Sequence, residues 1–86
     1  MSAAPKFTPG PWRVGGPNGY RNQLGIDPTI GAVYGAGAEL EANARLIAAA
    51  PDLYAACLAV EDAQRGGDYE TAFKAVRAAL ARVEAQ

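Results

Sequence analysis

The run Glu39–Leu53, reading ELEANARLIAAAPDL, constrains the fold more than any other stretch of the chain. Up to Ala50 it is the longest uninterrupted run of good helix formers, and Pro51 follows where a proline can stop one helix or open the next. A helix starting near Glu39 should therefore end before Pro51, and a second should carry Pro51 in its first turn. Glu39 and Glu41 sit in the first turn of the leading helix, where carboxylates interact favourably with the helix dipole. Leu40, Ala44 and Ile47 trace its apolar face with Leu46 beside it, and the spacing places Asn43 near the edge of that stripe. Leu53, Ala56, Cys57 and Val60 form the expected buried face of the second helix, which makes Cys57 a buried, inert thiol. Arg65-Gly66-Gly67 ends this helix, and Asp68 is a suitable N-cap for a third. Along that last helix Tyr69, Ala72, Phe73, Val76, Ala79, Leu80 and Val83 form a continuous stripe at spacings of three and four, so it should pack on its predecessor as a hairpin.

The N-terminal half reads differently. Met1 to Lys6 is small and polar and reads as a disordered lead-in. In Phe7-Thr8-Pro9-Gly10-Pro11-Trp12 the two prolines bias Thr8 and Gly10 away from helix, so the chain is extended or turning there. Trp12 and Val14 begin an alternating strand, with Arg13 on its other face. Gly15-Gly16-Pro17-Asn18-Gly19 is a turn, Tyr20 to Ile26 a second strand, Asp27-Pro28-Thr29 another turn, and Ile30 to Tyr34 a third strand. The predicted fold is α+β, a three-stranded antiparallel β-meander over 11–35 followed by two or three helices over 39–86, in one domain of 86 residues.

A domain of this length buries only about 60% of the surface its unfolded chain exposes. One cysteine allows no internal disulfide, and without histidine the usual zinc ligand sets are missing. Self-association into a homo-oligomer is the remaining way to enlarge the core. The formal charge of −1 argues against a partner such as DNA or RNA. No apolar run approaches a membrane span, and residues 1–10 lack the zones of a signal peptide, so the expected compartment is the cytoplasm. A serine or cysteine nucleophile assisted by histidine is excluded within one chain, and no phosphate-loop motif exists. Glu39, Glu41 and Asp52 already have a structural reason to be where they are, in first turns of helices. The chain is expected to be non-enzymatic, with no cofactor and no metal.

Basic side chains dominate up to Ala38, where Lys6, Arg13 and Arg21 face Asp27 alone, and Arg45 is the nearest helical contributor. Trp12, Tyr20 and Tyr34, interleaved with Arg13, Arg21 and Asn22, make the best ligand-binding constellation. Aromatic faces stack on a base, and arginines pair with phosphate oxygens. The candidate site is Trp12, Arg13, Tyr20, Arg21, Asn43 and Arg45. The same residues have a bland reading, in which Trp12 anchors the core of a thin sheet and the cations are a solvated surface.

Phe7-Thr8-Pro9-Gly10-Pro11-Trp12, followed by Glu41-Ala42-Asn43-Ala44-Arg45-Leu46-Ile47-Ala48-Ala49-Ala50-Pro51-Asp52-Leu53, resembles a family of small proteins encoded by tailed bacteriophages and prophages. The family often carries a histidine where this chain has Phe7, and the final helix after Gly67 lies outside the resemblance. The resemblance implies a non-enzymatic phage accessory protein working in the bacterial host. One expectation is an oligomeric sponge that sequesters a cyclic or ADP-ribose-type nucleotide of host immunity. The alternative is an interaction module that docks on a host or phage protein through a helical face.

Overall fold

A computed structural model describes residues 6–15 and 23–84. Strand β1 is Arg13–Val14, β2 is Gln23–Asp27 and β3 is Gly31–Tyr34; helices α1, α2 and α3 are Gly37–Ala48, Ala50–Gln64 and Tyr69–Glu84. The strands form one antiparallel sheet in the order β1-β2-β3, so the fold is α+β as the alternation and turn signals imply.

Register explains which strand residues enter the core. Val14 lies opposite Ile26, and Leu24 opposite Val33. Because side chains alternate along a strand, Trp12, Val14, Leu24, Ile26 and Val33 belong to one face of the sheet. Ile26 and Val33 are buried there with Leu40, Ala44 and Ala48 of α1, and Trp12, Leu24 and Ile30 pack around them. The tight connection between β2 and β3 is closed by the Ile30 amide donating to the Ile26 carbonyl at 2.9 Å. The first strand is shorter than the alternation suggests, and Tyr20 to Asn22, expected to open the second, lie outside the described residues. So does the expected lead-in, apart from Lys6.

The buried line of α1 runs Leu40, Ala44, Ala48. Ile47, expected on that face, and Leu46, expected beside it, are 39% and 50% exposed. The reason is rotational: steps of four keep one line in contact with the sheet, and residue 47 lies about 100° from residue 48. Alanine at 44 and 48 lets helix and sheet backbones approach closely, and the larger neighbours are left at the margin. Ala49 links the first two helices, its amide bonded to the Arg45 and Leu46 carbonyls and its carbonyl accepting from the Leu53 amide at 2.9 Å. Pro51 sits in the first turn of α2, where no intrahelical donor is needed.

Gly66 and Gly67 close α2 by a Schellman motif. The Gly67 amide reaches the Asp62 carbonyl at 3.2 Å and the Gly66 amide reaches that of Ala63 at 3.1 Å, with Gly66 at φ 109°. Asp68 then caps α3, its carboxylate accepting from the Glu70 amide at 2.9 Å and the Thr71 hydroxyl at 2.6 Å. These bonds, the Thr71 hydroxyl first and the Glu70 amide second, hold the Asp68 carboxyl below its usual pKa. The resulting α2–α3 hairpin is closed by small side chains: the buried residues are Ala56 and Ala63 on α2 and Ala72 and Ala79 on α3. Cys57, one position from that line, is exposed rather than buried.

Candidate binding site

Two stretches far apart in sequence meet at the junction of α1 and α2. The segment before β1 folds back so that Phe7 and Trp12 stand beside Ala50, Pro51 and Tyr54, and these five residues line an apolar pocket of about 340 Å³. Its volume is at the lower end of the small-ligand range. Phe7 and Tyr54 meet edge to face, ring centroids 5.0 Å apart and planes at 83°, the arrangement that aromatic quadrupoles favour. Gly10 permits the approach: a Cβ there would lie 2.8 Å from Pro51 Cβ, too close for any other residue without a shift.

Hydrogen bonds fix the rest of the wall. The Trp12 indole N–H donates to the Thr8 carbonyl at 3.0 Å, which closes the Thr8–Trp12 turn and uses the ring's one donor. Arg82, near the end of α3, donates through Nη1 to Asp52 Oδ2 at 2.7 Å and through Nη2 to the Trp12 carbonyl. One guanidinium thus ties the first described segment, the start of α2 and the end of α3 together. Its planar fork can reach two acceptors in different elements, which an ammonium on a flexible stem does less well. Trp12 both packs on the core cluster and lines the pocket.

The remaining candidate residues are placed as follows. Arg13 is exposed on β1, on the opposite face from Trp12. Asn43 is exposed rather than at the edge of the buried line, because the line runs 40, 44, 48 and residue 43 is rotated off it. Arg45 is half-buried, with Nη1 3.9 Å from Glu41 Oε1 and a buried Nε that has no hydrogen-bond partner among the described residues. Tyr20 and Arg21 lie outside the described residues. Tyr34 is exposed and its hydroxyl accepts from Gln23 Nε2 at 3.4 Å. None of Arg13, Asn43 and Arg45 lines the pocket with Trp12, so the described part of the expected arginine and aromatic constellation does not converge there.

Sequence reasoning missed Arg82, Pro51 and Tyr54 as site residues. Pro51 was legible only as a helix boundary, and Arg82 drew no reading from the sequence. Its partners lie 30 and 70 residues away, a separation no local pattern reveals. A second hollow of about 270 Å³ between α2 and α3 is lined by Asp52 and five alanines, and its carboxylate is the one already engaged by Arg82. Among the described residues no three carboxylate or thiol side chains cluster as a metal site would require, and no described helix is long and apolar enough to cross a membrane.

The pocket can hold an apolar side chain. Among the described residues that line it there is no cation, carboxylate or thiol, and the Tyr54 hydroxyl is the one group able to exchange a proton. No curated protein and no solved structure matches the chain. The model of the family described as Salmonella phage P22 protein Y8K6 matches residues 1–86, the last helix included, and the chain belongs to that family.

Proposed function

We propose that this phage-family protein is a non-enzymatic docking module that takes an aromatic or proline side chain of a partner protein into the pocket on the first turns of α2. The observation that carries the proposal is the pocket itself, walled by Phe7, Trp12, Pro51 and Tyr54 and braced by Arg82. Aromatic and proline walls suit extended or proline-containing peptide segments, which bind with little loss of chain entropy because they are already extended. The occupant is a short exposed segment of a host or phage protein rather than a free nucleotide, since the pocket has no cationic wall. A display library of short peptides tests this. Selected binders should share an aromatic or proline anchor, shift the emission of the single tryptophan, and lose binding to the Tyr54→Asp variant while that variant still melts cooperatively. Binders that ignore Tyr54→Asp would refute the pocket as the docking site.

A second reading, the nucleotide sponge, draws support from the unpartnered Arg45 Nε alone. A ligand at 100 times its dissociation constant adds about 2.7 kcal/mol of stability. At about 4–8 °C per kcal/mol for a domain of this size, that raises the melting temperature by roughly 10–20 °C. A panel of cyclic and ADP-ribose-type nucleotides should leave the midpoint unchanged if the docking reading holds. A shift of that size, lost in Arg45→Ala, would favour the sponge instead.

A further inference from the structure

The large apolar residues of α3 fall at 69, 73, 76, 80 and 83, in alternating steps of four and three. That is the 3.5-residue period of a coiled-coil seam. The contact of α3 with α2 does not use it fully, since the buried residues there are Ala72 and Ala79. Tyr69, Phe73 and Leu80 remain 46%, 48% and 47% exposed, while Val76 and Val83 are half-buried. Tyr69 and Phe73 already stand as a pair, ring centroids 5.8 Å apart. The seam is therefore formed on one side and uncovered on the other.

Two whole-molecule features say that something should cover it. Among the described residues no large side chain is fully buried, and seven of the ten buried hydrophobic residues are alanine. The radius of gyration is 14.8 Å, against roughly 12 Å for a compact chain of this length, and the extents are 48 × 25 × 14 Å. The molecule is a thin plate in which α1 and α2 both pack on α3 and still leave Tyr69, Phe73 and Leu80 open.

The charges beside the seam identify the layer. Glu70, Arg77 and Glu84 recur every seven residues, each one position after a seam residue, on the outer edge; the inner edge is Ala72 and Ala79. A second α3 laid antiparallel, with Phe73 against the partner's Val76 and Tyr69 against the partner's Leu80, brings Glu70 opposite the partner's Arg77. Two-fold symmetry repeats the pair with the roles exchanged. A parallel arrangement sets the charged edge against alanines and forms no such pair. We propose that the α3 seam is covered by the α3 of a second copy of this chain, antiparallel about an axis between Lys74 and Ala75.

Charge reversal distinguishes this arrangement from any other. The full chain should sediment at twice the 8.9 kDa monomer mass. Glu70→Arg and Arg77→Glu should each weaken the dimer by about tenfold or more, because two surface pairs turn from attraction to repulsion at once. An equimolar mixture of the two variants should regain the wild-type association, and so should the double variant, while Phe73→Asp should be monomeric. Helical circular dichroism and a cooperative melt check folding; if Glu70→Arg disturbs the first turn of α3, Arg77→Glu and Phe73→Asp carry the test from mid-helix. A wild-type chain that stays at 8.9 kDa at micromolar concentration would overturn the proposal and leave the seam to another protein. A dimer indifferent to Phe73→Asp would place the contact elsewhere, and mixing without recovery would rule out the antiparallel register.

Discussion

Replacing Arg82 by alanine removes the brace that holds Trp12 against the start of α2. Two interactions are lost together: the 2.7 Å ion pair with Asp52 and the bond to the Trp12 carbonyl. The ion pair is partly exposed, at 34% and 41% for the two side chains, so solvent screening reduces it to about 0.5 kcal/mol. A hydrogen bond from a charged donor to a carbonyl is worth about 1.5–3 kcal/mol, and partial access of water brings it to the bottom of that range or just below. The sum is about 1.5–2 kcal/mol. At about 4–8 °C per kcal/mol, the midpoint should fall by roughly 6–16 °C. Asp52→Asn, which weakens only the ion pair, should cost about a quarter to a third as much. Arg82→Lys should recover part of the loss, since an ammonium keeps the charge but not the fork. Thermal melts followed by circular dichroism measure the midpoint, and emission of the single tryptophan reports whether the ring becomes wetter. An Arg82→Ala protein with an unchanged midpoint and unchanged emission would show that the brace contributes nothing and that Trp12 is held by other means.

Gly10→Ala should destabilise by about 1–3 kcal/mol, because the new methyl meets the Pro51 ring at 2.8 Å and a proline ring has little room to yield; an unchanged melt would mean the two segments do not touch. Trp12→Ala should cost on the order of 3–5 kcal/mol, since Trp12 packs against the core cluster that holds Ile26, Leu40 and Ala44, and a variant with a nearly unaltered midpoint would show the ring to be dispensable to the core. The cap on α3 predicts a pH dependence. The Asp68 carboxyl titrates below its usual value when folded, so its contribution is fully present above the unfolded-state pKa and is lost as pH falls through the depressed folded one. The stability gap between wild type and Asp68→Asn should narrow in acid, and a gap that widened would contradict the cap.

How far the sequence spoke depended on the range over which each cause acts. Gly66-Gly67-Asp68 was readable because a helix end and the next helix start are settled by the residues themselves, and Pro51 was readable for the same reason. The β2–β3 connection was readable from Asp27-Pro28-Thr29, while Gly16 to Gly19, expected to turn between the first two strands, lie outside the described residues. The faces of the helices were readable only to within one residue: Asn43 and Cys57 were each placed one step, or about 100°, from where they lie. In a chain this rich in alanine a buried line can be drawn through small residues, which apolar patterning does not mark strongly. The pocket was not readable at all. Phe7 and Trp12 stood in one quoted stretch and Pro51 in another, but their meeting depends on Gly10 passing over Pro51 and on Arg82 arriving from the far end of the chain. Tyr54 stayed unnoticed because it lies off the buried line of α2, and that outward position is what lets it face the pocket.

The proposed docking place for a partner is the pocket of Phe7, Trp12, Ala50, Pro51 and Tyr54. A chemical-shift map of the labelled chain, titrated with a peptide selected from the library, tests it directly. The Trp12 indole N–H and the amides of Ala50 and Tyr54 should move together and saturate with the peptide, while Arg13 and Asn43 stay still. Shifts centred on Arg13 and Arg45, with the Trp12 indole and the start of α2 unmoved, would contradict the account.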